Sequence, residues 1–195
     1  AIHDNCAPPL PPADRRDFSL LAEEFREAGY ATAAFVAAPV LHARTGIAAG
    51  FERFEAPDYG PRDATSHRYV PAEQQVDAAL EWLRDRREGK PAFLWLHLFD
   101  AHFPYTPFQG DARRAPAQPG ADARALYAGE VRRIDAALER LLAEVPGDAI
   151  VVLVSDHGES LGEHGEPAHD TLCYGATIDA FLAVRARALP RGAED

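Results

Sequence analysis

The chain has 195 residues, of which 47% are hydrophobic and 26% charged, and 20 basic against 31 acidic side chains give a formal net charge of −11. That length suits one domain with a substantial core, or a large piece of a bigger one. The acidic balance argues against nucleic acid or an anionic membrane surface as the main partner, no apolar run approaches the roughly 20 residues that span a bilayer, and two cysteines are too few for a disulfide scaffold.

There is no methionine, at position 1 or elsewhere, so an internal segment of a longer protein is expected. Residues 1–16 are proline-rich and aperiodic, an extended lead-in. "DFSLLAEEFREAGY" follows, with Phe18, Leu21, Ala22, Phe25 and Ala28 on one helical face and Gly29 as its stop. "ATAAFVA" reads as a short buried strand. Residues 39–71 carry scattered prolines, glycines and aromatics and are expected to form a long irregular connection. Pro71 opens the helix "PAEQQVDAALEWLRDRREG", with Val76, Ala79, Leu80 and Leu83 as its stripe and Gly89 at its end. The run "AFLWLHLF" is a strand interrupted only by His97, whose alternation with leucines suggests a core histidine. A second long loop covers residues 104–120. The helix "DARALYAGEVRRIDAALERLLAEV" then repeats Leu126, Val131, Ile134, Leu138, Leu141 and Leu142, and "AIVVLV" and "AFLAVRA" complete the strands.

Helices alternating with strands that are apolar throughout predict an α/β fold, a mostly parallel central sheet covered on both faces. Ligands of such sheets bind at the carboxyl ends of the strands. Two polar clusters lie directly after strands: "DAHFPY" after "FLWLHLF" and "SDHGE" after "AIVVLV". Parallel strands would carry both to one rim.

The second cluster opens "SDHGESLGEHGEPAH", which holds His157, His164 and His169 among Asp156, Glu159, Glu163 and Glu166. Asp156 and His157 leave the strand end together, and a carboxylate beside an imidazole suits manganese, zinc or magnesium better than calcium. The alternative is a solvated acidic loop with an exposed histidine. His102, in "DAHFPY", can bind an anion or protonate a leaving group, or be a histidine packed by Phe103 and Tyr105.

Together "FLWLHLFDAHFPY" and "VVLVSDHGESLGEHGE" resemble the sulfatase branch of the alkaline phosphatase superfamily. The segments "PLPPADRRDFSLLAEEFREAGYATAAFVA", "TGIAAGFERFE" and "AHDTLCYGATIDAFLAVRA" are similar to family segments in family order, so the resemblance spans nearly the whole chain. It implies that residues 1–195 are the central part of a sulfatase-like catalytic domain. It further implies a sulfuric ester hydrolase, acting on a small-molecule or glycan sulfate or phosphate ester through a covalent intermediate. Asp156 and His157 match metal ligands for one divalent ion, Ca2+ or Mn2+. His102 and His169 match catalytic histidines that contact the substrate anion, and His164 matches a substrate-side histidine.

The family nucleophile, a formylglycine made from Cys or Ser in C/S-x-P-x-R, is expected upstream. Cys6 in "CAPPL" lacks the arginine, since Leu10 stands in its place, and is read as a linker residue. Two alternatives stay open. One is a phosphodiester or phosphonate hydrolase, or a phosphoglycerol- or phosphoethanolamine-type transferase, of the same superfamily. The other is a non-catalytic scaffold relative.

Overall fold

Strand β1 (Ala31–Val36) is the centre of a three-stranded parallel sheet, with β2 (Arg53–Glu55) on one side and β3 (Ala92–His97) on the other. All six β1 residues are buried, as expected of an apolar strand in a parallel sheet with both faces covered. This is a computed structural model, and it describes residues 10–12, 17–57, 69–86, 89–105, 122–166, 168–169 and 172–187. The α/β class expected from the sequence is what it shows. The chain divides into two compact units, one of His3–Leu142 and one formed chiefly by Ala143–Asp195.

In the first unit, β1 and β3 run in full register from Ala31 opposite Ala92 to Val36 opposite His97. One face of β3 carries an aromatic row. Phe93 stacks on Phe25 with centroids 4.3 Å apart, Trp95 and His97 follow, and Phe99 continues the row beyond the strand. His97 packs edge-on to Trp95 and stacks on Phe99, but with the rest of β3 it is half-buried rather than a core residue.

The helices depart from expectation in instructive ways. Helix α1 (Leu21–Glu27) starts later than its apolar stripe suggests, and Phe18 is 54% exposed. Glu23 is buried instead, its carboxylate accepting the Leu20 amide at 2.8 Å. That bond satisfies one of the amides a helix start leaves open. Gly50 explains the position of α1. Its φ is +90°, and a Cβ there would lie 2.3 Å from the Glu23 nitrogen, so helix backbone rests directly on it. Strand β2 lies in the segment expected to be irregular. It is three residues long, too short for a readable period, and Thr32 holds its approach: the hydroxyl donates to the Gly50 carbonyl at 2.8 Å and accepts the Glu52 amide at 3.0 Å.

Helix α2 (Ala72–Asp85) opens after Pro71 as expected and buries Val76, Ala79 and Leu80, with Trp82 joining them. Helix α3 (Ala123–Glu144) spans the predicted length but turns differently: Val131 and Leu142 are exposed, while Glu130, Ala137 and Leu141 are buried. The cause is an ionic junction among Asp100, Glu130, Arg133 and Glu73. Arg133 forks onto Glu73, Nε to Oε1 at 2.9 Å and Nη2 to Oε2 at 2.7 Å, and its Nη1 reaches Glu130 at 3.3 Å and Asp100 at 3.7 Å. Asp100, with no exposed surface, also accepts the Ala72 amide at 3.2 Å, capping α2.

The second unit pairs β4 (Val151–Val154) with β5 (Leu182–Arg185), and here the ladder is antiparallel. Helix α4 (Gly175–Ile178) precedes β5. The apolar run of β4 predicted a strand buried on both faces, yet Val154 is 62% exposed. A two-stranded ladder supplies no second layer on either face, so Val152, Leu153 and Val154 in succession remain exposed. The lead-in at 1–9 and 13–16, Cys6 included, and most of the 104–120 loop lie outside the described residues.

Candidate active site

Backbone hydrogen bonds fix the turn at the end of β4. The Ser155 amide donates to the Phe181 carbonyl at 3.0 Å, and the Phe181 amide returns to Ser155 Oγ at 2.8 Å. Three residues on, the Gly158 amide donates to the Thr177 carbonyl at 3.1 Å. The chain passes so close to α4 that a Cβ on Gly158 would lie 2.3 Å from the Ala176 carbonyl oxygen. Only glycine fits. Asp156 and His157 are therefore projected from a backbone bolted at both ends.

His157 Nδ1 lies 2.6 Å from the Gly158 carbonyl, a contact that places the ring proton on Nδ1 and the lone pair on Nε2. Nε2 lies 3.7 Å from Asp156 Oδ2, beyond a hydrogen bond, so an imidazole nitrogen and a carboxylate oxygen stand close enough together that both would serve as donors to one cation. A ligating histidine with its other nitrogen on a backbone carbonyl is the usual outer-shell arrangement of a metal site. The donor chemistry fits a divalent ion. The described residues supply two donors rather than a full set, since among them no group of three or more His, Cys, Asp or Glu side chains is arranged to hold a metal.

The acidic loop is only partly solvated: the Asp156 side chain is 85% exposed, while Ser160 and Glu166 are buried. Ser160 is buried and donates to the Glu166 carbonyl at 2.7 Å, Glu163 Oε2 accepts the Leu161 amide at 2.7 Å, and Glu166 Oε1 accepts the Leu172 amide at 3.1 Å. Carboxylates that read as surface charge instead tie the loop to itself. The loop returns His169 to the turn, where its ring lies 4.1 Å from that of His157 and its Nδ1 lies 3.0 Å from Glu159 Oε1. Glu159 and His169 side chains are only 6% and 10% exposed.

Asp156, His157 and His169 are thus brought together. His164 is not with them. It takes a left-handed backbone, φ +56°, rare for a side chain other than glycine, and stacks on Tyr174 with centroids 3.8 Å apart. His102 belongs to the other unit, at the end of the aromatic row. Its ring stacks on Phe99 at 4.2 Å, its Nδ1 meets the Phe103 carbonyl, and its amide donates to the Phe99 carbonyl at 3.2 Å. Phe103 and Pro104 are joined by a cis peptide bond.

Sequence reasoning named Glu159 only as one of the surrounding acids and missed its partner. A carboxylate two residues after a ligand pair is indistinguishable from surface charge until the loop returns a histidine to it. Gly158 reads from the "DHG" turn as the residue that closes the strand-to-loop transition, although the need for it comes from α4, further along the chain.

A family model described as Sulfatase matches residues 2–189. Among solved structures, the lipoteichoic acid synthase LtaP from Listeria monocytogenes is similar at a TM-score of 0.51 and 18% identity, over 70% of this chain and 36% of that one. A protein in the alkaline phosphatase superfamily from Vibrio parahaemolyticus gives a TM-score of 0.47 at 19% identity, over 72% of this chain and 36% of its own. No curated protein matches. The chain spans about a third of the length of these solved structures.

Proposed function

The chain belongs to the Sulfatase family, and from that premise we propose that it is the central part of a metal-dependent sulfuric ester hydrolase. The observation that carries the reading is the Asp156–His157 pair, with Oδ2 and Nε2 3.7 Å apart and the imidazole tautomer set by Gly158. These two residues would hold one divalent ion, Ca2+ or Mn2+, and the nitrogen donor would favour Mn2+. When bound, such an ion neutralises charge on the ester's oxygens.

The protein's own groups do the rest. His169 donates a hydrogen bond to the anion, and packing against His157 and Glu159 spares it the entropy of ordering at the moment of reaction. His102, with Nδ1 on the Phe103 carbonyl and its ring on Phe99, supplies a proton to the departing alkoxide oxygen through its other nitrogen. His164 serves the substrate side, presenting an imidazole stacked on Tyr174. The nucleophile, a formylglycine in this reading, lies outside residues 1–195. Substrates are small-molecule or glycan esters.

The second reading is phospho-transfer, as a phosphodiester or phosphonate hydrolase or a phosphoglycerol- or phosphoethanolamine-type transferase. Its support is the "AHFPY" segment together with the fold likeness to a lipoteichoic acid synthase. Relative kcat/KM of the full-length protein on 4-nitrophenyl sulfate and on bis(4-nitrophenyl) phosphate separates the two. Preference for the sulfate ester supports the hydrolase proposed here; preference for the phosphodiester by tenfold or more replaces it with the second reading.

A further inference from the structure

Tyr174 enters the account above only as the ring on which His164 stacks. We propose that Tyr174 is a specificity-determining residue of the same site. Its exposed ring receives the apolar face of a sugar, so that the alcohol of the ester is a hexopyranose rather than an acyclic or aryl alcohol. The inference rests on the reading of the Asp156–His157 turn as the place where the ester group sits.

Three observations carry it, and the first is position. The Gly158 amide donates to the Thr177 carbonyl at 3.1 Å, and Thr177, itself buried, holds Tyr174 in turn. The Thr177 amide donates to the Tyr174 carbonyl at 2.9 Å, and its hydroxyl donates to the Leu172 carbonyl at 2.7 Å, with the Tyr174 carbonyl 3.1 Å away. One residue therefore joins the turn that carries Asp156 and His157 to the segment that carries Tyr174.

The second is backbone strain. His164 has φ +56° between Gly162 at +106° and Gly165 at +79°. A histidine in that region is held there by its surroundings, and such outliers cluster at functional sites. The ring delivered by this strained turn lies flat on Tyr174, with centroids 3.8 Å apart and planes 20° apart.

The third is exposure. Tyr174 is 43% exposed and His164 is exposed as well, so the stack buries little apolar surface. The loop is already closed by Ser160 on the Glu166 carbonyl and by Glu166 on the Leu172 amide. A tyrosine backed by an imidazole at the surface is a platform ordered before any ligand arrives, which lowers the entropic cost of binding. The ring also sets the chemistry of its occupant. Its face is electron-rich and attracts C–H groups, while its hydroxyl end stays wet. A pyranose matches both, with C–H bonds across a face and hydroxyls around the rim. An acyclic alcohol has no face, and an aryl ring has no rim of hydroxyls.

Kinetics of the full-length protein on galactose 6-sulfate and on 2-methoxyethyl sulfate, both esters of primary alcohols, test this. Tyr174→Ala raises KM for galactose 6-sulfate by about tenfold with kcat nearly unchanged, and Tyr174→Phe, which keeps the ring, stays within about threefold of wild type. Neither variant changes the kinetics of the acyclic ester. Equal losses on both esters overturn the proposal, because a residue that only supports the fold costs every substrate alike. A loss confined to 4-nitrophenyl sulfate overturns the sugar assignment in favour of an aryl alcohol. Binding gives a readout independent of turnover. In protein labelled with fluorotyrosine, the resonance that is absent from Tyr174→Phe shifts as galactose 6-sulfate is added and stays in place with 2-methoxyethyl sulfate. A resonance that galactose 6-sulfate does not move overturns the proposal. Wild-type protein inert towards sulfate esters overturns the reading of the turn as a sulfate-ester site. The fluorotyrosine titration then still decides whether Tyr174 takes a sugar.

Discussion

Asp100 is a carboxylate with no exposed surface at the start of the His102 loop, and burial pushes its pKa up to about 6 from 3.8. The Ala72 amide and Arg133 pull the other way and offset only part of this. Because the folded state holds the Asp100 proton more tightly than the unfolded state, this group makes stability fall as pH rises from 3.8 to 6, with no further change above. The full effect is on the order of 3 kcal/mol. Glu73 has the opposite sign. Burial raises it, but the hydrogen bonds and charge of Arg133 outweigh burial and hold it below its ordinary value, so its stabilisation is lost on acidification. Asp100→Asn keeps an oxygen for the Ala72 amide and removes the titration. Urea unfolding should show the variant gaining about 2–3 kcal/mol on wild type between pH 4.5 and pH 7.5; a difference independent of pH would contradict the burial argument. At Gly158 the expectation is steric. Gly158→Ala meets the Ala176 carbonyl at 2.3 Å, and the turn must shift, at a cost of about 1–3 kcal/mol. Calorimetric Mn2+ titration should show at least a tenfold weaker affinity than wild type, since the same carbonyl turn sets His157.

Among the elements, Arg133 is the joint of α2, α3 and the end of β3, forked on Glu73 and close to the buried Glu130 and Asp100. Arg133→Met leaves those carboxylates without their cation and should lower unfolding free energy by about 3–5 kcal/mol at neutral pH. A loss below 1 kcal/mol in chemical denaturation would mean that the junction is not a structural tie. The same joint shows what was legible in the sequence. The existence of α2 and α3 followed from apolar periodicity over long segments, and that of β1 and β3 from short continuous apolar runs. The face that α3 buries did not, because an apolar stripe cannot reveal that Glu130 turns inward to meet an arginine one turn later. β2 was hidden for another reason: three residues carry no period, and its place depends on Thr32 and Gly50, which are distant in sequence from each other. The β4 turn was legible as a motif, in Asp156 and His157. Its partners were not, since Glu159, Glu163 and Glu166 look like solvated charge until the loop closes on Ser160.

At the scale of the molecule, the chain joins a unit built on a parallel sheet to a unit built on an antiparallel pair, and its Sulfatase family assignment extends over residues 2–189. No described helix is long and apolar enough to cross a membrane. The catalytic proposal depends on Asp156 and His157 as donors to one divalent ion, and that dependence is directly measurable. Sulfate release from 4-nitrophenyl sulfate by the full-length protein should vanish on chelation and return with Mn2+, and to a smaller extent with Ca2+. Asp156→Asn, folded as judged by its thermal transition, should release at least 100-fold less at the same metal concentration. Release that survives chelation, or an Asp156→Asn variant as active as wild type, would contradict the metal-site account.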